Sequence, residues 1–208
     1  MNKKMISIAA SFFILAGISQ AQAKEKYLID PKVSVVNCAV RRLSVSDVHG
    51  QFKDLKGEIY FDPKNIAKSS VNITIKTAGI ATGNSFYDKV IRSRRLLDAG
   101  LYPEIIFKSK SVELKNGALF VRGSLSLHGV TKDIMFPFQL DEPILDRHQR
   151  KIIRARGQWV INRKDFNVIW NKLLDKAGLV VGNIVTIDWE VVGVKEKTAK
   201  KKASANPS

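Results

Sequence analysis

The segment 117–140 constrains the fold more than any other part of the chain. Leu119, Val121, Leu125 and Leu127 alternate with Phe120, Arg122, Ser124 and Ser126, and Ile134, Phe136, Phe138 and Leu140 alternate again further on. Side chains of an extended strand point in turn to its two faces, so each run predicts a strand with one apolar side. Between them, His128-Gly129-Val130 predicts a turn. The two strands make an antiparallel hairpin, and its apolar side has to be covered by more of the chain.

The rest of the sequence repeats the pattern. Tyr27 to Pro31 predicts a short first strand stopped by proline. Val33 to Val40 is a second, with Val33, Val35, Asn37 and Ala39 on one side and Ser34, Val36, Cys38 and Val40 on the other; the pattern leaves open which side faces inward. Ser44–Phe52, Leu55–Phe61 and the run through Val71, Ile73 and Ile75 follow. Gly, Pro, Asn or Asp stands at each boundary, as strand turns require. After Pro103, Glu104 to Val112 is a strand in which the adjacent Ile105 and Ile106 break clean alternation. Ile153, Ala155, Gly157, Trp159 and Ile161 mark another, and Val185, Ile187, Trp189 and Val191 the last. Phe166 to Trp170 reads as a short strand or as irregular chain, and Asn171 to Gly178 as a turn or a single helical turn.

Only between Asn84 and Ala99 does the period change. Phe86, Tyr87, Val90, Ile91 and Leu97 are spaced for a helix, with Asp88, Lys89, Arg92, Ser93 and Arg95 on much of the other side. Asn84 or Ser85 is the candidate cap and Gly100 the candidate stop. The fold class is all-β: roughly eight or more antiparallel strands, as a barrel or sandwich, with one helix over an open end or a seam.

The first residues predict processing rather than fold. Met1-Asn2-Lys3-Lys4 is basic, Met5 to Ile18 is apolar, and Ala21-Gln22-Ala23 has the small-x-small form of a signal peptidase site. Cleavage after Ala23 is expected, with the product in the periplasm or secreted. The apolar run falls short of the about 20 residues that span a bilayer. Residues 24–194 then form one barrel domain, and 195–208, with five lysines against Glu196, a basic disordered tail. Cys38 is the only cysteine, so no internal disulfide is available, and it reads as a small core residue. The formal charge is +16. Export sets nucleic acid aside; the charge suits an anionic membrane surface or head group, or serves solubility alone.

Signals of catalysis are missing. His49, His128 and His148 have no zinc-ligand spacing, and no nucleophile elbow or phosphate-cradling glycine loop is present. His128 sits at the hairpin turn, where a hydrogen bond to the turn accounts for it. The expectation is a non-enzyme without a metal site or cofactor. A barrel of about eight strands either fills with side chains or encloses one small ligand. The first case describes a stress-response or interaction module, the second a carrier.

The chain resembles the YceI-like family of periplasmic polyisoprenoid-binding proteins. The resemblance rests on Tyr27-Leu28-Ile29-Asp30, residues 49–63, residues 82–93, Tyr102-Pro103 with Phe107, residues 123–132, and Arg163-Lys164-Asp165-Phe166. It implies an antiparallel eight-stranded, lipocalin-like barrel with one packed α-helix. It also implies a channel for an isoprenoid-type lipid, such as a polyprenyl chain or quinone tail, and a homodimer. The chain departs from the family pattern at Tyr87, where arginine is usual, at Ile91 and at Leu96-Leu97. Asn167 stands where the family has glycine. Under this resemblance Phe52, Phe86, Phe107, Phe136, Phe138, Trp159, Phe166, Trp170 and Trp189 are candidates to line the channel. Asp88, Arg92 and His128 are polar candidates near a mouth or head group, with a salt bridge or turn contact as the alternative for each.

Overall fold

The computed structural model describes residues 24–42, 46–169 and 181–197. The expected signal segment, Trp170, the segment 171–178 expected as a turn or single helical turn, and most of the expected basic tail lie outside these residues. The strands are β1 (Glu25–Ile29), β2 (Val35–Arg42), β3 (Ser46–Phe52), β4 (Leu55–Phe61), β5 (Ser70–Lys76), β6 (Ile80–Ala81), β7 (Glu104–Lys115), β8 (Ala118–Leu127), β9 (Val130–Leu140), β10 (Ile144–Leu145), β11 (Lys151–Asn162) and β12 (Val181–Lys195). Among the described residues there is one α-helix, α1 (Ser85–Arg92), between β6 and β7. Among the described residues no helix is long and apolar enough to cross a membrane.

All strands join one antiparallel sheet. The order β11-β9-β8-β7-β5-β4-β1-β12 returns to β11, which closes an eight-stranded barrel. The other main strands lengthen three of these staves. β1 pairs with Gly193–Lys195 of β12, and β2 pairs with the same edge from Val185 to Glu190. β4 and β3 lie beside them, and β5 and β6 follow. Runs that read as separate strands are therefore halves of bent ones. Ser34, almost fully buried, staples the first bend to β12. Its hydroxyl accepts from the Val192 N–H at 3.0 Å and donates to the Val192 carbonyl at 3.4 Å.

The β8–β9 hairpin has the predicted register, from Leu127 opposite Val130 to Leu119 opposite Phe138. His128 and Gly129 both take positive φ, 51° and 75°, as a two-residue turn of the type that matches strand twist requires. In β7 the alternation fails for a local reason. The register with β8 shifts between Ser109 and Ser111, so one extra residue bulges. Ile105 and Phe107 face inward before the shift and Val112 after it, while Ile106 faces out.

The helix is shorter than its periodicity predicts. Asn84 caps it, its side chain accepting from the Phe86 and Tyr87 N–H groups. It ends at Arg92, not at Gly100. The Ser93 hydroxyl and N–H both turn back to the Val90 carbonyl, and Ser93 is extended. The chain then folds over, with the Leu97 N–H on the Ile91 carbonyl, and this carries Leu96 and Leu97 to the same inner surface. Arg163–Phe166 is a 3-10 turn, and residues 167–169 continue as irregular chain, the second of the two readings for the segment from Phe166. The turn closes on Asn167, whose φ of 55° is the left-handed conformation that glycine takes most easily and asparagine tolerates.

Candidate ligand channel

The barrel interior is not packed solid. A cavity of about 320 Å³ runs along its axis, and the surface facing it is carbon almost throughout. On β11 its wall extends from Ile153 to Ile161, roughly 27 Å at the usual strand rise. That volume over that length describes a narrow tube, not a round pocket. One end is sealed: Tyr27, Phe61 and Ile153, all buried, pack with Ile66 and Leu140. The opposite end is bordered by α1 and the tips of β2 and β3, with Tyr87, Val90, Val40 and Val48 on the wall.

Six of the sequence candidates stand on this wall: Phe52, Phe107, Phe136, Phe138, Trp159 and Trp189. Phe136 is the centre of an aromatic group. Trp159 stacks on it at 4.3 Å between centroids, Phe107 lies tilted at 5.4 Å, and Trp189 meets it edge-on at 5.9 Å. These are favourable ring geometries, and they hold the wall rigid. Phe107 has room because β8 carries Gly123 beside it; a Cβ there would sit 2.6 Å from the ring.

The other candidates lie elsewhere. Phe86 is 57 % exposed on the outer face of α1, because Tyr87, Val90 and Ile91 take the inner face. Phe166 is buried but does not line the cavity. It packs beside Leu125, Leu127 and Val168, between the ends of β8, β9 and β11. Asp88 is a structural group: its carboxylate accepts from the N–H and the hydroxyl of Thr82, both at 2.7 Å, and lies 3.9 Å from Arg92. The Thr82 hydroxyl, above all, holds the carboxyl below its ordinary range. Arg92 donates to the Ile80 carbonyl and so ties α1 to β6. His128 occupies the hairpin turn, its ring against Tyr102 at 4.5 Å, and its buried Nδ1 has no hydrogen-bond partner among the described residues. Trp170 is outside the described residues.

Sequence reasoning missed the aliphatic part of the wall and one cation. Val36, Cys38 and Val40 decide the facing of β2. Cys38 donates to the Gly50 carbonyl at 3.4 Å, and burial pushes its thiol up to about 11, so it stays protonated and inert. Arg163 is buried at 8 % exposure, yet its guanidinium points at protein acceptors. Nε donates to the Gly182 carbonyl at 2.9 Å, Nη1 to the Val168 carbonyl at 2.7 Å, and Nη2 to Asn183 Oδ1 at 3.1 Å. Burial lowers its pKa. An arginine after an apolar strand resembles a surface arginine in sequence, and nothing local marks its burial. The channel thus presents an almost wholly apolar surface along its described wall.

The chain matches the model of the YceI-like domain over residues 27–193. Protein YceI of Escherichia coli O157:H7 is 31% identical over 201 residues, 95% of this chain and 100% of that protein. A UPF0312 protein of Vibrio parahaemolyticus is 44% identical over 117 residues, 55% of this chain and 61% of that relative, so this second match spans less than two thirds of its length. Among solved structures, a polyisoprenoid-binding domain from Saccharophagus degradans superposes with a TM-score of 0.64 at 17% identity, over 83% of this chain and 100% of that one, a likeness of fold. With this barrel and these matches, the chain belongs to the YceI-like family.

Proposed function

We propose that this protein is an exported, periplasmic carrier that holds one isoprenoid-type lipid, a polyprenyl chain or quinone tail, in the barrel. The observation that carries the proposal is the tube itself: long, narrow, sealed at one end and faced with carbon. A barrel packed as a plain interaction module would fill that space, since interiors otherwise pack to crystal density. A single apolar chain fits the shape, and each buried CH₂ contributes about 0.8 kcal/mol. A head group gains nothing inside, where no polar atom would replace its water, so it stays at the α1 end. The polyisoprenoid-binding domain of Saccharophagus degradans, similar in fold, supports the same ligand class. The signal-like start of the sequence supports the compartment. No step of this function requires a catalytic group.

Native mass spectrometry of the mature protein purified without detergent from its own host, followed by solvent extraction, tests the reading. One adduct per chain that yields a prenyl-chain lipid is expected. A bare mass, together with failure to take up added quinones and polyprenyl phosphates, would overturn it.

A further inference from the structure

The helix α1 has two different faces. Its inner residues Tyr87, Val90 and Ile91 form part of the channel wall. Its outer face carries Phe86, 57 % exposed, with the exposed cation Lys89 three residues on. Arg94 and Arg95 are exposed in the turn that follows, and Leu101 is 66 % exposed before β7. None of these three cations has an ion-pair partner among the described residues. The acidic groups nearby are already engaged: Asp88 by Thr82 and Arg92, and Asp98 by the Leu101 N–H. An exposed phenylalanine and leucine flanked by free cations, at the end of the apolar tube away from the Tyr27–Phe61–Ile153 cluster, match the cross-section of an anionic bilayer surface: phosphates outside, acyl chains just beneath.

We propose that the α1 end of the barrel docks on anionic phospholipid membranes, with Phe86 and Leu101 entering the interface and Lys89, Arg94 and Arg95 on lipid phosphates. This rests on the carrier reading and gives it a direction. The tube would meet the membrane at the end that α1 borders, so that an apolar tail passes between bilayer and barrel without crossing water. Screening by salt weakens the contact, because the attraction between exposed charges falls off within a Debye length.

Flotation with vesicles of phosphatidylglycerol and phosphatidylethanolamine, against vesicles of phosphatidylcholine alone, tests it. The mature chain is expected to bind the anionic vesicles at low salt and release at high salt. The double variant R94E/R95E is expected to lose at least about thirtyfold in apparent affinity, as about 1 kcal/mol per surface cation implies, and F86S to lose binding as well. K64E/K68E makes the same change of charge in the β4–β5 connection at the sealed end, and should retain binding. Equal loss in both double variants, equal binding to neutral vesicles, or no vesicle binding would overturn docking. Uptake of a free quinone in the absence of vesicles is read in parallel. Docking fails alone if uptake persists in every variant while vesicle binding is absent or indiscriminate. Absence of uptake in the unsubstituted protein instead removes the carrier reading beneath it.

Discussion

Strand β11 has two edges, and they are built differently. Toward β12 it is zipped without interruption from Ile152 opposite Val194 to Asn162 opposite Ile184. Toward β9 the ladder holds only at Ala155 opposite Leu140 and Arg156 opposite Gln139. It stops where Pro137 enters. Counted from the Leu127–Val130 pair that closes the two-residue turn, Pro137 falls at a non-hydrogen-bonded site toward β8, so its nitrogen faces β11 and has no hydrogen to give. Beyond that point side chains replace the ladder. Phe166 and Val168 pack against Ile134 and Ile161, Lys132 lies 4.0 Å from Asp165, and Arg163 binds the carbonyls of Val168 and Gly182. The difference teaches that this barrel closes by hydrogen bonds on one edge and by a packed plug on the other.

Breaking the plug has the largest expected effect. Phe166→Ala empties a buried aromatic site and should cost about 3–5 kcal/mol in urea unfolding. A loss below about 1 kcal/mol would mean that the seam is held by something else.

The zipped edge has its own lock at the sealed end. Glu25 of β1 accepts from Lys151 of β11 and Lys195 of β12 at 2.9 and 2.6 Å, and from the Tyr27 hydroxyl at 2.6 Å. Burial alone would raise its pKa, but the hydrogen bonds from Lys195, Tyr27 and Lys151 outweigh it and hold the carboxyl at about 2, against an ordinary 4.5. A carboxyl depressed in the folded state stabilises above its unfolded pKa and loses that stabilisation as the solution becomes more acid. Stability should therefore fall between pH 4.5 and about 2 by roughly 3 kcal/mol from this group. Glu25→Gln should flatten that part of the profile while lowering stability at neutral pH. An unchanged acid limb would show that Glu25 is not the lock.

Pro137→Val should have the smallest effect. It returns an N–H to the unzipped edge and should shift stability by no more than about 1 kcal/mol. The sharper readout is hydrogen exchange: the new amide at position 137 is expected to be protected. Free exchange there would show the two strands standing too far apart to pair.

The same contrast explains how much the sequence disclosed. Period-two patterning is a property of single strands, so the hairpin, the inward sets of β11 and β12 and six wall aromatics were legible. Bends and plugs are properties of the assembled barrel. Pro31 and Lys53-Asp54 punctuate the chain as strand ends do, although the strands around them continue the same staves. Phe166 and Phe107 are equally apolar, and only the closing of β11 on β9 puts one in the plug and the other on the wall. Helical spacing found the inner face of α1, but Phe86 beside Tyr87 could be assigned only once Asn84 had set the start of the helix.

The measurement that tests the account most directly is a titration of the detergent-free mature protein with quinones that share one ring and differ in the number of isoprenoid units. It is followed by the fluorescence of Trp159 and Trp189, with Trp170 replaced by phenylalanine. Affinity should climb with each added unit, as about 0.8 kcal/mol per buried CH₂ requires, and level off once the tube is filled. Affinity that does not depend on tail length, or no binding at any length, would contradict the claim that the channel exists to hold the tail.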